Sequence, residues 1–455
     1  MREYELTISD TLNKGLSPVD LLPMNAEFLD ECIGFRCGIG ALEPYAHLVN
    51  PFPIDIDFNY LWPFPQVVSG ERYTFLINRI ANTDEVYLVT GLTTLQYLNS
   101  IPVNASASNI ISVADFGNYA VVTNGSGMLY LDIATNTWTV SGSLPTFPRM
   151  KTICNFRGQA VGGNIASSWY NCDSKYYVWS KIGSIDFTLD NSNEAGYRRC
   201  PYGGDVLCAK SLSNMVVGYS TKGIVSIKPV TDPAPTFGMA MISSIGLLNA
   251  GAVAGNDLKH VYLGADKRLY QITPGEGIKL LGYYNYMNRL EGDVVITYDS
   301  LKEDYYISDG ATTFLLTAVG LTQVPQSPSA IWNYNGSTYI LPDVTPGYYA
   351  TIVTPQFNMG FNGFKTIFSI FTDLYFVHDP KIAIEYYLNV VDYGTTQMTP
   401  VNSQGIASVI ASGNSFRINL IFNPLLGLSR VSYIKVRYKA TDLRGVRGVF
   451  SSRKE

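Results

Sequence analysis

The chain has 455 residues, more than one ordinary core of roughly 100–200 residues holds, so either several domains or one large repetitive unit is expected. Apolar residues make up 46% and charged residues 15%, which excludes a wholly disordered chain. A net charge of −5 and a pI near 5.4 argue against a protein that grips nucleic acid through a basic surface.

Residues 1–70 read as an extended N-terminal arm. Pro18, Pro23, Pro44, Pro51, Pro53, Pro63 and Pro65 punctuate it, and each proline removes a ladder donor. Phe52, Phe58, Tyr60, Trp62 and Phe64 are interleaved with the later prolines. The first 60 residues are acidic: Glu3, Glu5, Asp10, Asp20, Glu27, Asp30, Glu31, Glu43, Asp55 and Asp57 stand against Arg2, Lys14 and Arg36. Met1 to Asp10 lacks the apolar run of a signal peptide, and no stretch reaches the ~18 apolar residues of a membrane helix. Synthesis in the cytosol with no membrane insertion is therefore expected. Cys32, Cys37, Cys154, Cys172, Cys200 and Cys208 show no C-x-x-C pairing, so reduced, mostly buried thiols are expected, and no metal or cofactor.

Residues 71–345 repeat a hairpin theme with no helical period. Val86–Gly91 runs on to Leu95 and Tyr97. Tyr119–Thr123 turns at Asn124-Gly125 and returns from Met128 to Leu131. Met215–Tyr219 turns near Lys222-Gly223, His260–Leu263 at Asp266-Lys267, and Asp304–Ile307 at Asp309-Gly310. Asn335-Gly336 and Asn362-Gly363 are further turn dipeptides, because Asn and Gly tolerate the positive φ of tight hairpins. The turns recur about 35 to 45 residues apart, the length of a four-stranded propeller blade. A double gap after Gly125 holds another hairpin, Ala160–Gly163 against Tyr176–Trp179. The fold class expected is all-β, a β-propeller of about six blades followed by a C-terminal β-sandwich-like domain. The latter covers 346–455, where Phe416, Ile418, Leu420 and Phe422 alternate with polar residues, as do Ile434, Val436 and Tyr438, and Ile382 to Leu388 forms another strand.

Site chemistry is sparse. His47, His260 and His378 are far apart in sequence, and each reads as an ordinary surface or loop histidine. Gly218-Tyr219-Ser220-Thr221-Lys222-Gly223 is one residue too long for a nucleophile elbow and lies in a hairpin. Gly38-Ile39-Gly40 lacks the third glycine of a dinucleotide loop. Asp173, Asp186, Asp205, Asp257 and Glu303 are the acids that a propeller glycosidase would have to pair, and the Asp-box turns of sialidases are missing. A non-enzymatic role is expected. Arg430, Lys435, Arg437, Lys439, Arg444 and Arg447 form a basic stretch suited to docking the acidic region of a neighbouring subunit or to facing passing DNA, with a solvated strand face as the simpler reading.

Four fragments carry a resemblance. Ser17-Pro18-Val19-Asp20-Leu21-Leu22-Pro23-Met24-Asn25 resembles the opening of tail hub proteins of short-tailed bacteriophages, where a similar Asp-Leu-Pro-x-Asn stretch precedes the propeller. Tyr176 to Phe187, with Trp179-Ser180 at its centre, is similar to a strand and turn of those propellers. Gly360 to Ile367 and Val431 to Gly448 resemble their C-terminal sandwich. The resemblance implies a structural virion protein of the phage tail: a homo-oligomeric hub or nozzle ring, often a hexamer, forming part of the DNA ejection channel. It also implies portal or adaptor proteins and tail fibres or spikes as partners, and transient non-specific contact with double-stranded DNA. A carbohydrate-binding propeller for host-receptor recognition is the alternative, with Trp62, Trp169 or Trp332 stacking on sugar.

Overall fold

The computed structural model describes residues 3–19, 27–45, 66–69, 73–104, 107–117, 119–132, 137–141, 147–166, 169–190, 193–231, 236–341, 349–360, 363–373, 380–389, 391–422 and 430–441. It is all-β among these residues apart from two short helical turns, Asp10–Lys14 and Tyr284–Met287. The chain forms two compact units. One comprises 48–311 with 327–343; the other comprises 1–47, 312–326 and 344–455.

The first unit is a β-propeller. Five four-stranded antiparallel sheets follow one another along the chain, each built from consecutive strands: 66–102, 112–141, 150–199, 206–243 and 253–282. Val295–Asp299 with Asp304–Ser308, and Ala330–Tyr334 with Ser337–Leu341, occupy two further positions. The first strand of each sheet neighbours the first strand of the next, and Ala330–Tyr334 lies against Gln66–Ser69, so the ring closes on seven inner strands. Against the expected count of about six blades, the described residues give seven positions around the ring, five of them four-stranded sheets and two represented in this unit by a hairpin. The hairpins follow the turn chemistry. Asn335 and Gly336 have φ of 48° and 76°, the paired positive values of a tight hairpin, and join two strands in register from Tyr334↔Ser337 to Ala330↔Leu341.

Apolar cores lie between successive sheets. Phe75, Ile77 and Val86 of the first sheet pack on Ala120, Val122 and Leu129 of the second. Val161, Tyr177 and Trp179 of the third pack on Val216, Val225 and Phe237 of the fourth. Val67 and Leu76 pack on Trp332 and Leu341, sealing last position to first. Burying both faces explains why the middle strands read as continuous apolar runs instead of alternating ones. One glycine is required by this packing. A Cβ built on Gly218 would lie 2.5 Å from Cζ of the buried Tyr177 ring on the neighbouring sheet. Gly218→Ala is therefore expected to cost about 1–3 kcal/mol through overpacking. A Tyr177→Leu background should recover part of that loss; equal losses in both backgrounds, by urea denaturation, would refute the contact as its cause.

The second unit is sandwich-like and joins distant parts of the chain. In one sheet Glu3–Ile8 pairs with Ile434–Ala440, which pairs with Lys365–Thr372, itself flanked by Ile406–Ala407 and Ala411–Gly413. The other sheet runs, within this unit, from Thr313–Leu316 and Leu321–Val324 through Glu31–Ile33, Ala350–Val353 and Ser415–Phe422 to Lys381–Tyr387 and Tyr393–Thr395. Phe416, Ile418, Leu420 and Phe422 are all buried, as their alternation implies. The expected arm is corrected over its described part. Glu3–Ile8, Glu31–Ile33, Phe35–Gly38 and Ala41–Pro44 are strands of this unit, because strands with complementary edges lower their free energy by pairing instead of lying loose. The proline- and aromatic-rich stretch 46–65 lies outside the described residues.

Candidate functional site

The seven inner strands surround a cavity of about 580 Å³ in the propeller unit. They belong to different sheets and diverge from one another, so backbone ladders cannot satisfy every group that faces the axis. Side chains do it instead. Gln66 donates to the Asn109 carbonyl at 2.7 Å and accepts from the Ile111 amide at 3.0 Å. Ser112 donates to the Ile153 carbonyl and accepts from its amide, both at 2.9 Å. Asn155 donates to the Asp115 carbonyl at 2.7 Å, the Ala209 amide to Thr152 Oγ1 at 2.9 Å, and Asn333 to Ser300 Oγ at 2.9 Å. The result is a girdle that holds neighbouring sheets together.

Lys151 and Lys210 line this cavity together with Asp115 and Asp257, so its charges balance. Ser211 Oγ donates to Asp257. No group of three His, Cys, Asp or Glu able to hold a metal ion occurs among the described residues. Five of the six cysteines are buried, and burial raises the thiol pKa of Cys32, Cys154 and Cys208.

His260 corrects the sequence reading. It is not a surface histidine but 1% exposed, wedged between the fourth and fifth sheets. Its Nε2 lies 2.9 Å from the Ser211 carbonyl, which can only accept, so Nε2 carries the proton. Its Nδ1, 2.9 Å from the Tyr219 hydroxyl, then accepts. Burial, assisted by the charge of Lys210, pushes its pKa down to about 3. The ring is a neutral tie between sheets. His47 and His378 lie outside the described residues.

Three of the acids singled out in the sequence serve local geometry. Asp173 accepts the Lys175 amide at 2.9 Å. Asp186 pairs with Lys181 at 2.6 Å and caps the Thr188 amide at 2.9 Å. Asp205 accepts from Ser174 at 2.5 Å. Ser220, the elbow candidate, is fully buried in its hairpin and donates to the Gly223 carbonyl at 2.7 Å. Gly38 ends a strand and Gly40 is the second central residue of the hairpin turn that follows, with no helix after it.

Trp179 and Ser180 of the resembling segment are packing and turn residues. Trp179 donates its indole N–H to the Glu194 carbonyl at 2.8 Å and meets Phe237 edge-on at 5.3 Å. Ser180 Oγ donates to the Ser184 carbonyl at 2.6 Å and accepts the Ala160 amide at 2.9 Å, closing the loop that buries Phe187. Trp169 and Trp332 are 7% and 3% exposed, so neither offers an open face to a sugar; Trp62 lies outside the described residues.

The basic stretch finds its acids within the same chain. Arg437 Nε lies 2.6 Å from Glu5, Lys435 3.6 Å from Glu5, Lys439 3.0 Å from Glu3 and Arg430 3.1 Å from Glu43. Hydrogen bonding from Arg437 lowers the Glu5 pKa below the usual carboxylate range. For these four residues acidic partners lie within the chain, on Glu3–Ile8 and Ala41–Pro44. Arg437 also covers the Phe371 ring at 4.3 Å. Arg444 and Arg447 lie outside the described residues.

No family model and no curated protein matches the chain. Among solved structures, an uncharacterised protein of Desulfotomaculum acetoxidans is 11% identical with a TM-score of 0.41, covering 63% of this chain and 90% of that one. A quinoprotein alcohol dehydrogenase-like protein of Bacteroides thetaiotaomicron is 11% identical with a TM-score of 0.33, covering 57% and 65%. PorZ, a surface component of the type-IX secretion system of Porphyromonas gingivalis, is 13% identical with a TM-score of 0.35, covering 68% of this chain and 36% of its own. These likenesses are too distant to bear on activity or partners. The propeller assignment rests on the strand order and ring closure described above.

Proposed function

We propose that the chain is a structural subunit of a homo-oligomeric ring in the tail of a short-tailed bacteriophage, in the hub or nozzle that the ejected DNA traverses. The observation that carries this reading is a set of large apolar side chains left in water on the sandwich-like unit. Leu388, Val391, Tyr393, Met398 and Ile410 are 39%, 80%, 68%, 45% and 76% exposed. Leu388, Val391 and Tyr393 lie together at one sheet edge, where Tyr387 pairs with Tyr393 and the Leu388 amide donates to the Asp392 carbonyl. Met398 precedes Thr399-Pro400 on the same sheet, and Ile410 precedes Ala411–Gly413 of the other. A monomer gains nothing from such a surface, whereas a subunit interface buries it. The fragments resembling tail hub proteins agree with this reading. So does a propeller cavity whose polar side chains are largely spent on bridging strands. The DNA path would be the axis of the assembled ring, not that of a single propeller.

Light scattering on the purified full chain at micromolar concentration should report a closed oligomer, seen as rings by negative stain. Val391→Asp with Tyr393→Asp should reduce it to a folded monomer. A wild-type chain that stays monomeric, and that is missing from purified phage particles, overturns the proposal.

A further inference from the structure

The outer rim of the third propeller sheet carries an arrangement that the ring assembly does not use. Trp169, Tyr170, Asn171 and Cys172 form a two-residue hairpin turn, closed by the Cys172 amide on the Trp169 carbonyl at 2.8 Å. Both central residues are left-handed, with φ of 46° at Tyr170 and 59° at Asn171. This conformation suits glycine and asparagine; a tyrosine there is strained, and such strain gathers where function requires a particular side chain. The strained residue presents its ring to water: Tyr170 is 48% exposed. Its inner edge is fixed by Trp169, whose ring stands at 89° to it with centroids 4.7 Å apart.

Tyr197, on the edge strand Gly196–Arg199, is 41% exposed and meets the same Trp169 edge-on at 6.1 Å. Tyr176 lies 6.0 Å from Tyr197 and pairs in register with Arg199, so Tyr176, Tyr197 and Arg199 share one face of the sheet. Arg199 is exposed and has no carboxylate within ion-pair distance among the described residues. Arg198 falls on the opposite face by strand alternation, leaving one guanidinium beside the rings.

We propose that this rim is a saccharide-binding site for an acidic sugar: Tyr170 and Tyr197 stack on the C–H faces of a pyranose, and Arg199 takes a sugar carboxylate in its fork. Rigid aromatics supply contact area at low entropic cost, and a fork donor matches a carboxylate bidentately. A nucleic-acid strand would need a track of cations along its phosphates, and the face offers one, on a chain of net charge −5. The inference does not depend on ring assembly.

The test is calorimetric titration of the full chain with oligogalacturonate, hyaluronate oligosaccharide and a sialylated oligosaccharide, each beside a neutral counterpart, and with oligothymidylate. The expected result is binding of at least one acidic sugar over its neutral counterpart, weakened tenfold or more by Tyr170→Gly and by Arg199→Gln. Tyr170→Gly relieves the turn but gives up the Trp169 contact, so its melting temperature is measured beside its binding and should stay close to that of wild type, which separates lost binding from lost folding. No acidic sugar bound at roughly 1 mM, binding indifferent to both substitutions, or preference for oligothymidylate each overturns the assignment.

Discussion

Asp84→Ala should destabilise the propeller unit by about 3–5 kcal/mol, the largest effect expected of a single substitution. Asp84 is fully buried, and its two oxygens take Arg79 Nε at 2.6 Å and Nη2 at 2.8 Å. Arg79 also donates to the Ser108 carbonyl at 2.9 Å, and Asn124 Nδ2 to Asp84 Oδ2 at 2.7 Å. Asn124 in turn accepts the Ser126 and Gly127 amides at 2.9 Å. The network therefore joins a hairpin of the first sheet to a hairpin turn of the second. Removing the carboxylate takes the counter-ion from a guanidinium that is 16% exposed and one acceptor from the Asn124 amide, which keeps only the Pro102 carbonyl at 3.0 Å among the bonds described for it. The pair itself contributes little beyond an apolar substitute, because desolvating both ions offsets most of their attraction. Arg79→Met with Asp84→Leu should accordingly lie much closer to wild type than Asp84→Ala. Urea midpoints measured for the single and double variants decide it: a double variant no better than Asp84→Ala would show that the Arg79–Asp84 pair is not what the single substitution breaks.

This network also marks what a sequence yields and what it withholds. Asn124-Gly125 was legible as a turn because local backbone chemistry decides turns. That the Asn124 side chain reaches across to Asp84, forty residues earlier, depends on how two sheets face each other. The hairpins at Lys222-Gly223, Asp266-Lys267 and Asn335-Gly336, and the alternating strand Phe416 to Phe422, were legible for the same local reason. The pairing of Glu3–Ile8 with Ile434–Ala440 was not, although Glu3-Tyr4-Glu5-Leu6-Thr7-Ile8 alternates and carries acids opposite to the bases of its partner. Charge complementarity names a partner of opposite sign without saying whether it is the same chain or another. The rim around Tyr170 was hidden for a different reason. Tyr-Asn is a poor signature for a tight turn, so its geometry contradicts local propensity, and only the fold shows it.

His260 makes the stability of the propeller depend on pH with a sign that can be worked out. In the unfolded chain a histidine titrates near 6.5; in the fold, burial and the Lys210 charge push it to about 3. Between these values the unfolded chain binds a proton that the folded chain refuses. The contribution is fully present above about pH 6.5 and is lost as pH falls toward 3, at up to about 1.4 kcal/mol per pH unit. Carboxylates titrate in the same range, so the comparison must be with a variant that keeps the bonds and drops the titration. His260→Gln is that variant, since its amide can donate to the Ser211 carbonyl and accept from the Tyr219 hydroxyl. Wild type should lose about 2–3 kcal/mol more than His260→Gln between pH 7.5 and pH 4.5. Parallel stability curves for the two proteins would mean that His260 gains a proton in the fold as easily as out of it, and that its burial between the fourth and fifth sheets is not what the structure describes.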